Sequence, residues 1–414
     1  MEREFRESSD MRPSIAGLAG VLAVAAALRF WGLGHGIPGS LAPGEADIMQ
    51  RVMRMMFTGD LNPHVFDYPG LYVYVQLVVA CARFLLGAMG GAWQSLAAVA
   101  ANDFYLWGRA LGATLGVATV YLVYMIGTRW GARHALLGAG LLAVMPDHVG
   151  ASHSMLIDVP TAFAVTLTFL LALRAHEMGT LRGYWWAGVS AGAAAATNYS
   201  GSLAFVLPIV AAYVQPKGPD SSIKRALASL AGFIAAFLVG APFTVLDLPG
   251  FLNGMAAPGQ AGANAVGGWL AHLAHFAATL WWPGLILMLV GLVLAVIRVV
   301  RGPGRARFAM LVAVPFVQVV VIGMRQGVPA GQLLPVVPFA CLLTAIAVIS
   351  GVSLLRRFAI PRPARTALIV AGTVATLLPP LVNSIRVLRH VSPASSAAHH
   401  DHRAVAGGMK PSGA

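Results

Sequence analysis

The residues that could do chemistry are concentrated near the start of the chain. The stretch Gly32–Pro69, GLGHGIPGSLAPGEADIMQRVMRMMFTGDLNPHVFDYP, holds Glu45, Asp47, Asp60 and Asp67, four of only 15 acidic residues among 414. Carboxylates placed together suit general acid–base work. Asp158, in SHSMLIDVP, and Asp247, in APFTVLDLPG, add two more. His64, Tyr68, His153, Asn198, Tyr199 and Arg325 accompany them. Arg109 sits a few residues inside an apolar run, where a cation is costly unless paired, so it is a functional candidate by default. Its bland alternative is snorkelling to lipid headgroups. For Glu45 and Asp47 the bland alternative is favourable placement in the first turn of a helix.

The elements that must position these groups are membrane-spanning helices. The chain is 58% hydrophobic and 10% charged, against about 25% charged in soluble domains. Apolar runs recur from Ile15 to Leu381, and they lack the alternation of a barrel strand. The fold class is therefore an all-α polytopic membrane protein. The net charge of +13 lies mostly between apolar runs, which is the signature of orientation by basic loops rather than of nucleic-acid binding. Cys81 and Cys341 define neither a disulfide framework nor a metal site.

Residues Met1–Arg12 are expected in the cytoplasm, and Ile15–Trp31 reads as an uncleaved first span. Ala46–Phe57 has a helical period, with Ile48, Met49, Val52, Met53, Met56 and Phe57 on one face, and suits a helix lying on the membrane surface. Pro43 and Gly59 bracket it. Leu71–Leu86 is apolar, but counting it as a span would put Arg129 and Arg133 outside. If it lies along or re-enters from the outer face, the following spans alternate consistently. They are Tyr105–Thr128, Ala135–Val149, Val159–Leu173, Tyr184–Thr197, Leu203–Val214, Ala226–Leu246, Leu280–Ile297, Phe308–Met324, Leu333–Gly351 and Thr366–Val382. This gives about eleven spans (11–13), a first outer loop over residues 32–104, and a transmembrane domain over 1–390. The tail 391–414 is expected to be disordered, and His399, His400 and His402 lie in it.

With this topology the carboxylates gather at the outer boundary and the span centres are almost free of charge. That argues against an ion-coupled transporter. A substrate half lipid and half polar would fit such a site.

The segments RFWGLGHGIP, PGEAD, TGDLNPHVFDYPGLYVY, WGRALGATLGVATVYLVYMIG, DHVGASHSMLIDVP and GQLLPVVPF resemble, in order and spacing over residues 29–340, the membrane-embedded GT-C glycosyltransferases. The similar group is family 39, with the protein mannosyltransferases and aminoarabinose transferases. The resemblance implies a first outer loop of juxtamembrane helices. It also implies inverting transfer of a sugar from a polyprenyl-phosphate donor to a lipid, glycan or protein acceptor at the non-cytoplasmic face of a bacterial inner membrane. The family places one acid in the first outer loop and one at the turn matching Asp158, so it implies Glu45 and Asp158 as catalytic acids. Asp47, His64, Tyr68, Arg109, His153, Asn198, Tyr199, Arg325 and Gln332 are the expected substrate contacts.

Departures accompany the resemblance. Gly44 stands where the family has an Asp. Asn198–Tyr199 replaces a frequent Lys–Tyr, and Gly331–Gln332 a frequent Arg–Tyr. Both latter changes remove a cation that could hold phosphate. The alternative function is a non-catalytic lipid-linked-sugar binder or a flippase-like protein of the same fold. The outer-loop acids could hold a divalent ion, although no ligand spacing demands one.

Overall fold

Helix propensity and long apolar runs produce an almost wholly helical chain in the computed structural model, which describes residues 15–37, 39–214, 220–256, 265–266, 268–302, 304–323, 328–355, 358 and 362–390. The helices are α1 (Ile15–Phe30), α2 (Glu45–Thr58), α3 (Leu71–Met89), α4 (Asn102–Gly127), α5 (Ala132–Ala143), α6 (Pro146–Ala151), α7 (Asp158–Met178), α8 (Leu181–Thr197) and α9 (Val206–Val214). They continue with α10 (Ser222–Gly240), α11 (Phe243–Leu246), α12 (Leu248–Ala256), α13 (Gly268–Arg301), α14 (Arg305–Gly323), α15 (Val337–Leu355) and α16 (Arg362–His390). The strands described are a two-residue antiparallel pair, Ala265–Val266 with Val328–Pro329. The basic N-terminus, Arg325 and the tail, with its three histidines, lie outside the described residues.

Seven of these helices are long and apolar enough to cross a membrane by length and composition. Ile15–Phe30 and Tyr199–Val214 are shorter apolar helices. The expected number of eleven is not reached by that count. One reason is that the expected span Ala135–Val149 is broken: α5 stops at Ala143 and α6 begins at Pro146. A break inside an apolar layer exposes carbonyls that lipid cannot satisfy. Here Arg29, fully buried, donates to the Leu142 and Ala143 carbonyls and to Nδ1 of His148, while Ser384 donates to the Val144 carbonyl. The interruption is thus filled by side chains from the first and last helices.

Two hydrophobic clusters are distinct. The larger joins α1, α4, α5, α7, α8, α9, α13, α14 and α15 into a bundle. The smaller is built on α2 and α3: Ile48, Met49, Val52 and Met55 pack with Tyr72, Val73, Ala80, Phe104, Tyr105 and Met155. The amphipathic period read from the sequence therefore puts its apolar face onto α3 and the first turns of α4. α3, expected to lie along or re-enter from the outer face, is itself one of the seven helices long and apolar enough to cross a membrane; it meets α4 near the latter's start and also contacts α8. Gln76 donates to the Gly108 carbonyl, and Arg83 stacks over Trp107 and Trp93.

Candidate active site

α4 carries Gly108, Gly112 and Gly116 at four-residue spacing, which puts them on one strip of its surface. A Cβ at Gly112 would crowd the Ser154 carbonyl, and one at Gly116 would overlap the Ser152 hydroxyl. The strip is what lets the turn 152–157, just before Asp158, lie directly on α4.

Glu45 opens α2, and helix geometry turns its side chain inward with Ile48, Met49 and Val52. It is 0% exposed. Arg109, 4% exposed, donates through Nε to Oε1 at 2.8 Å and through Nη2 to Oε2 at 2.7 Å. The remaining Nη1 of Arg109 donates to the Leu33 and His35 carbonyls. Glu45 Oε2 also accepts the Ala42 backbone N–H at 2.8 Å, and Oε1 accepts that of Met155 at 2.9 Å. Two oxygens thus accept four hydrogen bonds, the usual capacity of a carboxylate. The snorkelling alternative for Arg109 does not hold, because its guanidinium points into the protein. The Glu45–Met155 bond links the first outer loop to the turn three residues before Asp158.

Asp158 is in the first turn of α7, where the helix dipole favours an anion. It is partly exposed and forms no side-chain hydrogen bond among the described residues. Tyr72 lies within electrostatic reach of Glu45, Asp158 and Tyr68, and its hydroxyl accepts the Gln76 amide at 2.6 Å. The two predicted acids therefore border one region, one saturated and the other open.

On the outward face of α2, Asp47 is exposed. One turn on, Arg51 makes a two-pronged bridge to Asp67 at 2.9 and 3.0 Å and lies 4.5 Å over the Tyr68 ring. The Tyr68 hydroxyl is buried without a partner, and burial raises its pKa well above the usual phenol range. Tyr199 donates to the Phe66 carbonyl. Asn198 uses its side-chain oxygen on Ser200, capping the short helix Tyr199–Phe205.

His153 has both ring nitrogens against carbonyls: Nδ1 at 2.8 Å from Val149 and Nε2 at 3.0 Å from Trp31. Burial and the charges of Arg29 and Arg109 outweigh these acceptors and lower its pKa from 6.5. His64 is exposed and pairs with Asp60 at 2.7 Å, holding that carboxyl below its usual range. Asn62 next to it donates to Asp247 at 2.9 Å, and Phe251 packs edge-on against Phe66. His64 therefore belongs to a seam between the two outer loops. Gln332 gives its backbone carbonyl to Gln318. Among the described residues no three His, Cys, Asp or Glu side chains gather as a metal site requires.

Sequence reasoning singled out Glu45 and Arg109 separately without pairing them. It passed over Arg51, Tyr72, Gln76 and Arg29. The four-residue step from Asp47 to Arg51 was the available signal for the first of these.

A family model described as dolichyl-phosphate-mannose-protein mannosyltransferase matches residues 107–245. No curated protein matches the sequence. Among solved structures, the chain is similar to the apo oligosaccharyltransferase of Archaeoglobus fulgidus, with a TM-score of 0.61 and 12% identity over 90% of this chain and 55% of that one. The archaeal oligosaccharyltransferase AglB from Archaeoglobus fulgidus, in complex with an inhibitory peptide and a dolichol-phosphate, is also similar, with a TM-score of 0.59 and 12% identity over 89% and 55% of the two chains. ArnT from Cupriavidus metallidurans bound to undecaprenyl phosphate gives 0.60 and 17% identity over 91% of this chain and 73% of that one. The chain thus spans about half the length of the oligosaccharyltransferase. It has the GT-C fold, as the sequence resemblance implied.

Proposed function

We propose that this protein is an inverting glycosyltransferase that moves a sugar from a polyprenyl-phosphate donor to a hydroxyl-bearing acceptor at the non-cytoplasmic face of a bacterial inner membrane. The observation that carries the reading is the contrast between the acids. Glu45 is buried with every lone pair engaged, whereas Asp158 is partly exposed with no side-chain partner among the described residues. A proton acceptor needs a free lone pair facing substrate.

In this reading the acceptor oxygen attacks the anomeric carbon from the face opposite the phosphate. The new C–O bond forms as the bond to the phosphate oxygen breaks, and polyprenyl phosphate leaves with the electron pair. The acceptor's proton passes to Asp158. Glu45 acts as a positioning residue, fixing Arg109 and the Met155 backbone so that Asp158 faces the acceptor. Asp47 and Tyr68, on the outward side of α2 and the turn before α3, contact the sugar or the acceptor. α3 belongs to the outer-face layer in this reading, which its packing on α2 and on the first turns of α4 supports. AglB and ArnT are described with dolichol-phosphate and undecaprenyl phosphate respectively, which supports a polyprenyl carrier here. AglB has also been solved with Zn and sulfate. A divalent ion here would need ligands from outside the gathered acids, and no step above uses one.

The test is sugar transfer from polyprenyl-phosphate donors in membranes holding the protein. Transfer that is lost in Asp158→Asn supports the reading. Unchanged transfer in both Asp158→Asn and Glu45→Gln removes it.

One observation favours a second reading, a non-catalytic binder of the lipid-linked sugar. Gly44, at the position of the family's Asp, has φ 91° and so takes a left-handed conformation that a side chain resists. This reading predicts donor binding with no turnover for any acceptor.

A further inference from the structure

Arg83 lies on α3 six residues before Met89, about 9 Å from the end of the helix. α3 is long and apolar enough to cross a membrane, and a cation on such a helix is costly unless something meets its charge. Two indole faces meet part of it. The guanidinium is 4.5 Å from the centre of the Trp93 ring and 5.8 Å from that of Trp107, within reach of a cation–π attraction. Trp93 is itself wedged between Phe84, stacked at 6.2 Å, and Phe104 at 6.0 Å. Gly87 makes room for it, because a Cβ there would overlap the indole.

The ring faces leave the five N–H donors of the guanidinium unfilled. Arg83 makes no hydrogen bond and no ion pair among the described residues. Asp103, the acid in the first turn of α4, turns Oδ2 to the Ala100 N–H instead. Arg83 is partly exposed, and none of its nitrogens is sealed from the surface, unlike the unpartnered Nε and Nη2 of Arg225. A ligand can therefore reach them from outside. Apolar surface borders the cation on both helices. Leu86, one turn on from Arg83, and Met89 beyond it are exposed. On α4 Leu106 and Trp107 are exposed, while Arg109, two residues further, points inward to Glu45.

We propose that Arg83, Trp93 and Trp107 form a docking site for an anionic phospholipid. Its headgroup phosphate sits on the guanidinium, whose fork matches phosphate oxygens, and an acyl chain lies along Leu86 and Met89. Charge complementarity selects this occupant. The site offers one cation with no counter-ion among the described residues, bordered by exposed hydrocarbon and by indoles of the kind that favour membrane interfaces. A zwitterionic lipid brings a second cation to the same place, and a soluble phosphate brings no chain. The bound lipid holds the segment around Trp93 against the ends of α3 and α4. The site is on the outward side of α4, away from the Glu45–Arg109 pair, and does not depend on the transfer reaction.

The test uses the full chain in neutral detergent, titrated separately with phosphatidylglycerol, phosphatidylcholine and inorganic phosphate, with thermal unfolding as the readout. Phosphatidylglycerol is expected to stabilise at lower concentration than phosphatidylcholine, and inorganic phosphate is expected to have no effect. Arg83→Gln is expected to weaken phosphatidylglycerol binding by about fivefold, to the level of phosphatidylcholine, and Arg83→Lys to keep most of the preference. A variant that only loosened the fold would lower the melting temperature without erasing the difference between the two lipids. A second measurement needs no change at Arg83. Phosphatidylglycerol brominated in its acyl chains is expected to quench tryptophan emission more than brominated phosphatidylcholine, and Trp107→Phe to reduce that excess. The proposal is overturned if phosphatidylglycerol binds no better than phosphatidylcholine, if the preference persists in Arg83→Gln, or if inorganic phosphate stabilises as strongly as the lipid.

Discussion

Arg109 grips Glu45 across 64 residues of sequence with two parallel hydrogen bonds, at 2.8 and 2.7 Å, in a site that excludes water from both side chains. A buried carboxylate held this way is fixed in place, and it fixes what it touches. The Met155 N–H, bonded to the same carboxylate, ties the outer loop to the turn ahead of Asp158.

Removing one partner leaves the other charge buried and alone. Arg109→Met and Glu45→Leu are each expected to cost about 3–5 kcal/mol, and the double variant less than the sum of the two. Thermal unfolding of the four proteins of the cycle, in the same detergent, measures the coupling. Additive losses would show that the pair does not act as a unit.

Gly44 restores the family's acid on paper when changed to Asp, but not in this backbone. Its φ of 91° strains any side chain, and a Cβ would come within 3.2 Å of Leu156. Gly44→Asp is expected to cost roughly 1–3 kcal/mol and to lower transfer rather than raise it. A transfer assay beside a melting curve checks both. Faster transfer would mean that an acid at this position is productive here too.

His153 makes stability depend on pH. Burial keeps its folded pKa below 6.5, so the unfolded chain binds the proton more readily. The stabilising contribution is fully present above about pH 6.5 and is lost as pH falls through the lowered folded value, at no more than about 1.4 kcal/mol per pH unit. Melting temperatures measured downward from pH 7.5 should fall, and His153→Gln should flatten that fall. An equal slope in the variant would move the effect elsewhere.

Much of the architecture was legible because it rests on local periodicity. The face of Ile48, Met49 and Val52 foretold α2 over Ala46–Phe57, and the helix runs Glu45–Thr58. The break between α5 and α6 was not legible. Apolar residues continue through Val144 and Met145, and the groups that make the break tolerable, Arg29 and Ser384, come from opposite ends of the chain. The site was half legible for the same reason. Scarce carboxylates mark the loop, but only the fold reveals that Glu45 faces Arg109 and the Met155 backbone while Asp158, partly exposed, has no side-chain hydrogen bond among the described residues. Asn198 and His153 are substrate-contact candidates by type, and the structure sets the Asn198 side-chain oxygen on Ser200 and the two His153 ring nitrogens against carbonyls.

Sugar transfer by Asp158→Asn in reconstituted membranes, at saturating polyprenyl-phosphate donor, tests the central claim most directly. Loss of the proton acceptor is expected to slow turnover by on the order of 10²–10⁴-fold, with the melting temperature and donor affinity kept. Turnover equal to that of the unaltered protein would contradict the claim that Asp158 takes the proton.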